Sequence, residues 1–445
     1  MIIPRAIQGL GRLLFLARLK LTIFAHYLPL LLRGDLPPRR FVLFLRRLLL
    51  FLSKLGHNKF VRLGRRTRLD LYVPSFPSLA FYVGCRKFLT FDQPTPCSTV
   101  LISLTSACRF SCPHCYQRHD RGKDFPIDNL LQVIRRLQDN GIAFFNLEGG
   151  EPFLVYERLR KACAAIDARS EVWVNSTGDG MTLERLRELK GLNLTAIMFS
   201  LHTAEPARLN AFMQSPQAWD TLARGIGLCH AADVPVTFNT CLQREGFYNG
   251  EFERLMEQAK NFGACLVQLI KPKAAGAWLE SAPATFDPQD LAHVAGLVKR
   301  YNHDPACAAY PALAAQTLIE DPARFGCTAG GTDRFYINAK GDVQPCEFLN
   351  LSFGNLADED FDTIYARMRR AFDPPGETWL CEACAPEAAR RPGSGRSKKD
   401  KARVNNRRLV YLMSGLLMRR VKPSAERPGG RGGGGAKGTK LKLIA

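Results

Sequence analysis

Acidic residues are almost absent from the two ends of this 445-residue chain. Residues 1–67 hold fourteen Lys or Arg against Asp35 alone, and residues 391–445 hold sixteen against Asp400 and Glu426. The formal net charge of +21 therefore sits in two arms, of +13 and +14, and residues 68–390 between them carry about −6. Basic arms around a mildly acidic body point to arms that seek an anionic surface. No window of eighteen residues is free of charge, which argues against a membrane span. Arg12, Arg18 and Lys20 interrupt the apolar stretch that a secretory signal would need. With 46% hydrophobic and 10% aromatic residues the chain cannot be disordered throughout. Its length gives volume for one large domain or two to three smaller ones. The fourteen Cys are too clustered and the chain too long for a small disulfide-stapled scaffold.

From Phe41 to Leu55 the polar residues recur every seven positions: Arg39 and Arg40, Arg46 and Arg47, Ser53 and Lys54. Seven residues make two helical turns, so these groups form one stripe while Phe41, Leu43, Phe44, Leu48, Leu49, Phe51 and Leu52 fill the rest. Such a helix suits a membrane interface, with the basic stripe toward lipid headgroups. The plainer alternative is a helix buried against the protein's own core. The tail repeats the pattern weakly from Leu409 to Met418 and ends in a low-complexity stretch, Pro423 to Lys442, that reads as disordered.

Between the arms, short apolar runs alternate with longer amphipathic segments. The strand candidates are Val100–Leu104, Phe144–Leu147, Val172–Val174, Ala196–Leu201, Val234–Thr240 and Leu266–Ile270. The helix candidates are Asp128–Asn140, Tyr156–Arg169, Leu183–Lys190, Ala218–Ala232 and Gly250–Phe262. Six strands alternating with helices predict an α/β fold of parallel βα units, whose chemistry sits at the carboxyl ends of the strands.

The first strand runs into Cys108, Cys112 and Cys115, spaced CxxxCxxC and followed by Tyr116. Structural zinc takes four protein ligands, and a fourth Cys at suitable local spacing is missing. An iron-sulfur cluster held by three thiolates leaves one iron open to another ligand. His114 reads as a loop residue rather than a fourth ligand. These residues resemble the radical S-adenosylmethionine (SAM) superfamily, over roughly Thr99 to Ile270. The resemblance implies a partial (βα)6 TIM-type barrel and a 4Fe-4S cluster whose open iron binds SAM. It also implies reductive cleavage to a 5′-deoxyadenosyl radical that takes hydrogen from substrate, the cofactor carrying the hard chemistry. An electron donor such as flavodoxin or ferredoxin goes with that chemistry.

The second strand ends in Glu148-Gly149-Gly150-Glu151-Pro152, which matches the family's GGEP motif for the cofactor's amino group. Glycines let a backbone approach a ligand, and a carboxylate accepts from an ammonium. Tyr116, Glu148, Gly149, Gly150, Glu151, Asn175 and Ser200 are the expected cofactor contacts, the last two at the ends of strands three and four. His202, Asn239 and Gln268 are strand-end candidates for substrate or adenine, with packing and strand capping as the alternatives.

A second set, Cys327, Cys346, Cys381 and Cys384, spans a hairpin turn at Asn338 to Asp342 and ends in CxxC. With Gly354 to Leu356 it resembles the SPASM/twitch extension of the same superfamily. No Cys follows Cys384, so one auxiliary 4Fe-4S cluster is expected; a zinc ribbon suits the spacing too. Cys85, Cys97, Cys163, Cys229, Cys241, Cys265 and Cys307 read as packing residues. So many thiols and two oxygen-labile clusters imply a reducing cytoplasm.

The expected order is a basic amphipathic arm (1–67), a connecting segment (68–98), the barrel (99–318), a small α+β SPASM/twitch-like module (319–390) and a basic tail (391–445). The expected enzyme sits peripherally on the inner face of the membrane and acts on a lipid or prenyl chain. A ribosomal-peptide maturase is the alternative, no leader-binding module being recognisable ahead of the barrel; small-molecule alcohol dehydrogenation is a third. The non-enzymatic alternative is an RNA-binding or electron-transfer iron-sulfur protein; RNA binding is disfavoured because the arms are mainly aliphatic, whereas single-stranded recognition wants interleaved aromatics for base stacking. No general acid or base is nameable.

Overall fold

The computed structural model of the protein describes residues 4–92, 95–117, 122–275, 278, 286–321, 324–372 and 381. Cys384 and the tail lie outside these residues. The chain begins with β1 (Arg5–Ile7), the helical hairpin α1 (Gly9–Leu32) and α2 (Pro38–Lys54), then β2 (Phe60–Leu63), β3 (Arg66–Arg68) and α3 (Leu79–Cys85). The three strands form a small antiparallel sheet.

The barrel follows as β4 (Thr99–Ser103), α4 (Ile127–Asp139), β5 (Phe144–Glu148), α5 (Tyr156–Ala165), β6 (Glu171–Ser176), α6 (Leu183–Gly191), β7 (Leu194–Ser200), α7 (Pro206–Phe212), α8 (Ala218–Ala231), β8 (Val236–Cys241), α9 (Glu251–Asn261) and β9 (Leu266–Ile270). All six predicted strands are present and parallel. Three further strands lengthen the sheet. Past α10 (Pro288–His303), β10 (Ala312–Ala315) pairs with β9, and past α11 (Gln316–Ile319), β11 (Arg334–Ile337) pairs in parallel with β4. β11 turns back into β12 (Val343–Gln344), and α12 (Phe361–Ala371) closes the described chain. The auxiliary module thus shares one nine-stranded sheet with the partial barrel.

Strand alternation divides the residues into two faces. Val100, Ile102, Phe145, Leu147, Val172, Val174, Phe199, Phe238 and Val267 pack under the helices, against residues such as Leu130, Ile134 and Leu159. The other face is apolar at its lower end, where Phe144, Trp173, Ala196, Met198 and Leu266 meet Val61 and Leu71 from the N-terminal region. Arg68 plugs this end. It is buried in an ion pair with Glu171, whose carboxylate also accepts from Trp173 Nε1 at 3.0 Å and Ser75 N–H at 2.7 Å. Such a pair would be costly if broken, because each partner would be left as an unpaired buried charge.

The expected N-terminal arm is a folded module. Phe15, Leu19, Ile23 and Tyr27 recur every fourth residue on α1 and pack with Phe41, Phe44, Leu48 and Leu52 of α2 into a second core. Part of the basic stripe also faces the body. Arg47 donates to Thr90 O, Arg40 pairs with Asp92, and Lys54 donates to Arg324 O. The plainer alternative holds for one face of α2; Val42, Leu43, Leu49 and Leu50 remain exposed on the other.

Candidate active site

At the carboxyl ends of the strands the inner face turns polar and surrounds a cavity of about 520 Å³. Asn146 and Glu148 of β5, Asn175 of β6, Ser200 of β7, Asn239 of β8 and Gln268 of β9 line it, each placed inward by its strand's two-residue period. Cys108, Cys112 and Cys115 line it from the loop after β4. That loop is pinned: Ser106 N–H donates to Asp124 Oδ1 at 3.1 Å, Ser111 N–H to Met213 O at 3.4 Å, and Cys115 N–H to Cys112 O at 3.2 Å. Partial loss of water around the sulfurs pushes the thiols up, that of the surface-accessible Cys108 to about 11 and that of Cys112 to about 12, and each also feels the negative charge of the neighbouring Cys thiolates. Metal binding here must therefore release protons.

Glu148 stands at the centre of the wall. Tyr116 Oη donates to its Oε1 at 2.7 Å and Asn175 Nδ2 to its Oε2 at 2.8 Å. Burial, then the nearby Glu347, raises its carboxyl to about 8. Gly149 and Gly150 turn out to be required by a neighbouring loop: a Cβ at Gly149 would sit 2.6 Å from Thr105 O, and one at Gly150 2.1 Å from Ala107 O. Gly150 N–H and Glu151 N–H donate to those same two carbonyls. The double glycine thus clamps the β5 loop onto the loop that carries the three Cys. Glu151 has a different task from the one expected. Fully buried and off the cavity wall, its carboxylate accepts from Thr177 N–H and Oγ1, Ser176 Oγ and Phe153 N–H, which locks the β5 and β6 ends together.

His114 stacks on Phe212 at 4.8 Å, edge-on to His202 at 4.5 Å, and burial lowers its pKa to about 4. His202 Nδ1 accepts from Cys241 N–H at 3.1 Å. Both rings border the cavity beside Trp278. Sequence reasoning missed Gln117, Asn146, Glu347 and Phe348, which also line it. Asn146 was findable, two residues before Glu148 on the same strand face. Glu347 was not, because only the pairing of β11 with β4, with β12 folded back along β11, brings it there.

Five lining oxygens are buried without a hydrogen-bond partner in the protein: Gln117 Oε1, Asn146 Oδ1, Asn175 Oδ1, Asn239 Oδ1 and Glu347 Oε2. Each such acceptor costs about 1–3 kcal/mol unless a ligand donates to it.

At the second site the turn Asn338–Asp342 forms as expected, with Gly341 at φ 87° and Asn338 N–H donating to Asp342 O. The Gly354 to Leu356 segment caps it: Val343 N–H donates to Gly354 O, Leu356 N–H to Gly341 O, and Asn355 Nδ2 to Asp342 Oδ1. Gly330 N–H donates to Pro345 O and ties the Cys327 loop to the Cys346 strand. Cys327 and Cys346 are 7% and 4% exposed. Burial first, then Glu347, Cys381 and Cys327 bear on the Cys346 thiol.

Three thiols on a loop at the open end of a parallel partial barrel, above a polar wall, define the site of a radical enzyme. Residues 102–259 match the model of the radical SAM superfamily, and residues 327–385 match that of an iron-sulfur cluster-binding domain, SPASM. The chain belongs to the radical SAM superfamily and carries a C-terminal SPASM domain; it is an enzyme whose cofactors are SAM, a 4Fe-4S cluster and auxiliary iron-sulfur. Among its relatives, an AdoMet-dependent heme synthase of Nitratidesulfovibrio vulgaris is 23% identical over 62% of this chain and 81% of its own length. A PqqA peptide cyclase of Rhizobium meliloti is 22% identical over 66% of this chain and 80% of its own. The fold is similar to that of Streptococcus suis SuiB bound to precursor peptide SuiA, with a TM-score of 0.50 and 16% identity over 60% of this chain. The match spans 64% of SuiB, just under two thirds of its length.

The residues present fit the cofactors. SAM offers ammonium, hydroxyl and amine donors to a wall of buried acceptors, and three thiols face the same space. Cys327 and Cys381 both bear electrostatically on the Cys346 thiol, so the three lie near one another.

Proposed function

We propose that Cys108, Cys112 and Cys115 hold the catalytic cluster, and that Tyr116, Glu148, Gly149, Gly150, Asn175 and Ser200 surround SAM, with Glu151 acting behind them as a positioning residue. Cys327, Cys346, Cys381 and Cys384 hold one auxiliary 4Fe-4S cluster. When bound, cluster and SAM supply one-electron cleavage chemistry that ends in hydrogen abstraction from substrate; the electron requires a donor of the flavodoxin or ferredoxin class. The chain's own part is placement. Tyr116 and Asn175 fix the Glu148 carboxyl, and Gly149 and Gly150 set the spacing between the two loops that frame the site.

The reading of the substrate rests on the unpartnered acceptor Glu347 Oε2, which the auxiliary module brings to the cavity. A prenyl or acyl chain has no donor to offer it, and Glu347 and Phe348 line the cavity from the auxiliary module. A donor-rich substrate such as a peptide satisfies an acceptor there, and burying hydrocarbon against it would leave that cost unpaid. The protein works in a reducing cytoplasm, with an anionic membrane surface as partner.

Anaerobic iron and sulfide quantitation with electron paramagnetic resonance, with and without SAM, tests the cofactor assignment. The reduced enzyme is then given peptide and lipid fractions of a cell extract, and formation of 5′-deoxyadenosine is followed. Stimulation by the peptide fraction supports the reading; stimulation by the lipid fraction alone restores the lipid substrate.

A further inference from the structure

Of the large hydrophobic residues that stay exposed, ten lie on the N-terminal hairpin: Leu10, Leu13, Leu14, Leu21, Phe24 and Leu32 of α1, and Val42, Leu43, Leu49 and Leu50 of α2. On α1 the step from Leu10 to Leu14, Leu21 and Phe24 is four, seven and three residues, which keeps them on one stripe. That stripe lies opposite Phe15, Leu19, Ile23 and Tyr27, the face that builds the second core. Leu14 and Leu21 are 62% and 69% exposed. On α2 the exposed face likewise lies opposite the buried Phe41, Phe44, Leu48 and Leu52. Phe24, at the edge of the α1 stripe, packs edge-on against the buried Phe41 of α2, ring centroids 6.0 Å apart, and so joins the two helices.

The charges on this surface have one sign. Neither helix contains Asp or Glu, and Asp35 alone lies between them. Arg40 and Arg47 are committed to the body, but Arg18, Lys20, Arg39 and Arg46 are exposed and form no ion pair among the described residues. By helical phase Arg18 and Lys20 flank the leucine stripe of α1 on its two sides, while Arg39 and Arg46 stand among the exposed apolar residues of α2.

We infer that this hairpin is a monotopic docking surface for an anionic phospholipid bilayer, its leucine face inserted among the acyl chains and its four unpaired cations on the phosphates. This deepens the membrane reading above and does not depend on the chemistry of the cavity. α1 is long and apolar enough to cross a bilayer by composition. Its inner face forbids that, because spanning would strip Phe15 from Phe60 and Phe76 and break the bond from Tyr27 Oη to Tyr82 O at 2.6 Å. A second copy is the wrong occupant: two surfaces with this charge repel, whereas lipid phosphates neutralise it. Leucine side chains offer nothing for base stacking, which disfavours RNA.

The test is flotation of the full-length protein with vesicles of phosphatidylcholine alone or with about 30% phosphatidylglycerol. The wild type is expected to float with the anionic vesicles, less so as salt rises from about 0.1 to 0.5 M. L14E/L21E is expected to bind at least about tenfold more weakly at every salt concentration, and R39Q/R46Q several-fold more weakly at low salt only. Both pairs are exposed, and thermal melts matching the wild type show that the fold is kept. A wild type that stays off both vesicles overturns the membrane reading itself. L14E/L21E that binds as wild type overturns the assignment to this face. A wild-type dimer that L14E/L21E converts to monomer, with no vesicle binding, assigns the face to a second copy and overturns the inference.

Discussion

Cys327 and Cys346 are buried where none of the three Cys of the catalytic loop is, while Cys381 is half-buried like Cys112 and Cys115. Cys108 is exposed and Cys112 and Cys115 half-buried, all three on a loop that opens into the cavity, whereas Cys327 and Cys346 are sealed beneath the hairpin of the auxiliary module. A ligand set that faces a cavity leaves its cluster open to exchange; one enclosed by protein favours a cluster whose coordination is complete. The difference teaches that the loop of Cys108, Cys112 and Cys115 is open to a visiting molecule, whereas Cys327 and Cys346 are not.

The widest break in this comparison comes from changing Cys108, Cys112 and Cys115 together to Ala. Iron should fall from roughly eight to about four per chain, and 5′-deoxyadenosine formation should vanish against background. Next comes Cys346→Ala, which should remove the other four or so irons and lower the melting temperature by several degrees, because a sealed cluster contributes to folding. SAM cleavage without substrate should stay within about tenfold of wild type, since the open site is untouched; abolition would show that the sites are not independent.

A smaller effect follows from Gly150→Ala, whose new Cβ meets Ala107 O. It should cost about 2–4 kcal/mol in urea unfolding and weaken SAM binding, while Gly191→Ala, with open space around it, should be nearly neutral. The smallest concerns pH. In the metal-free protein Glu148 holds its proton to about pH 8, against an ordinary value of 4.5. Its contribution to stability is full below pH 4.5 and is lost as pH rises to about 8, because the folded chain there binds more protons than the unfolded one. Melting curves should slope downward across that window, by on the order of 1 kcal/mol per pH unit, and Glu148→Gln should flatten the slope.

The sequence made the barrel legible because parallel strands under helices carry a strong apolar signal: Phe144, Phe145 and Leu147 announce β5, and Leu266–Ile270 was placed to the residue. Motif spacing brought the three Cys and the double glycine into view. The reason for the glycines was less legible, since it depends on the Thr105 to Ala107 backbone lying against them. Glu151 misled for a related cause; a carboxylate in a binding motif looks the same whether it meets the ligand or braces the loop. The N-terminal region was half legible, because both faces of its helices carry apolar residues. Composition alone cannot say which face finds Phe60 and Phe76 and which finds solvent.

The pairing of β11 with β4 carries one more consequence. Arg334 lies opposite Thr99 and Ile337 opposite Ile102, so the auxiliary hairpin is laid along the strand whose end launches the catalytic loop. Among the described residues no hinge separates the strand that leads to Cys108 from the hairpin that leads to Cys346. A ladder of backbone hydrogen bonds acts as a ruler between them, and an electron passing from one iron site to the other would cross a gap set by strand register rather than by domain motion.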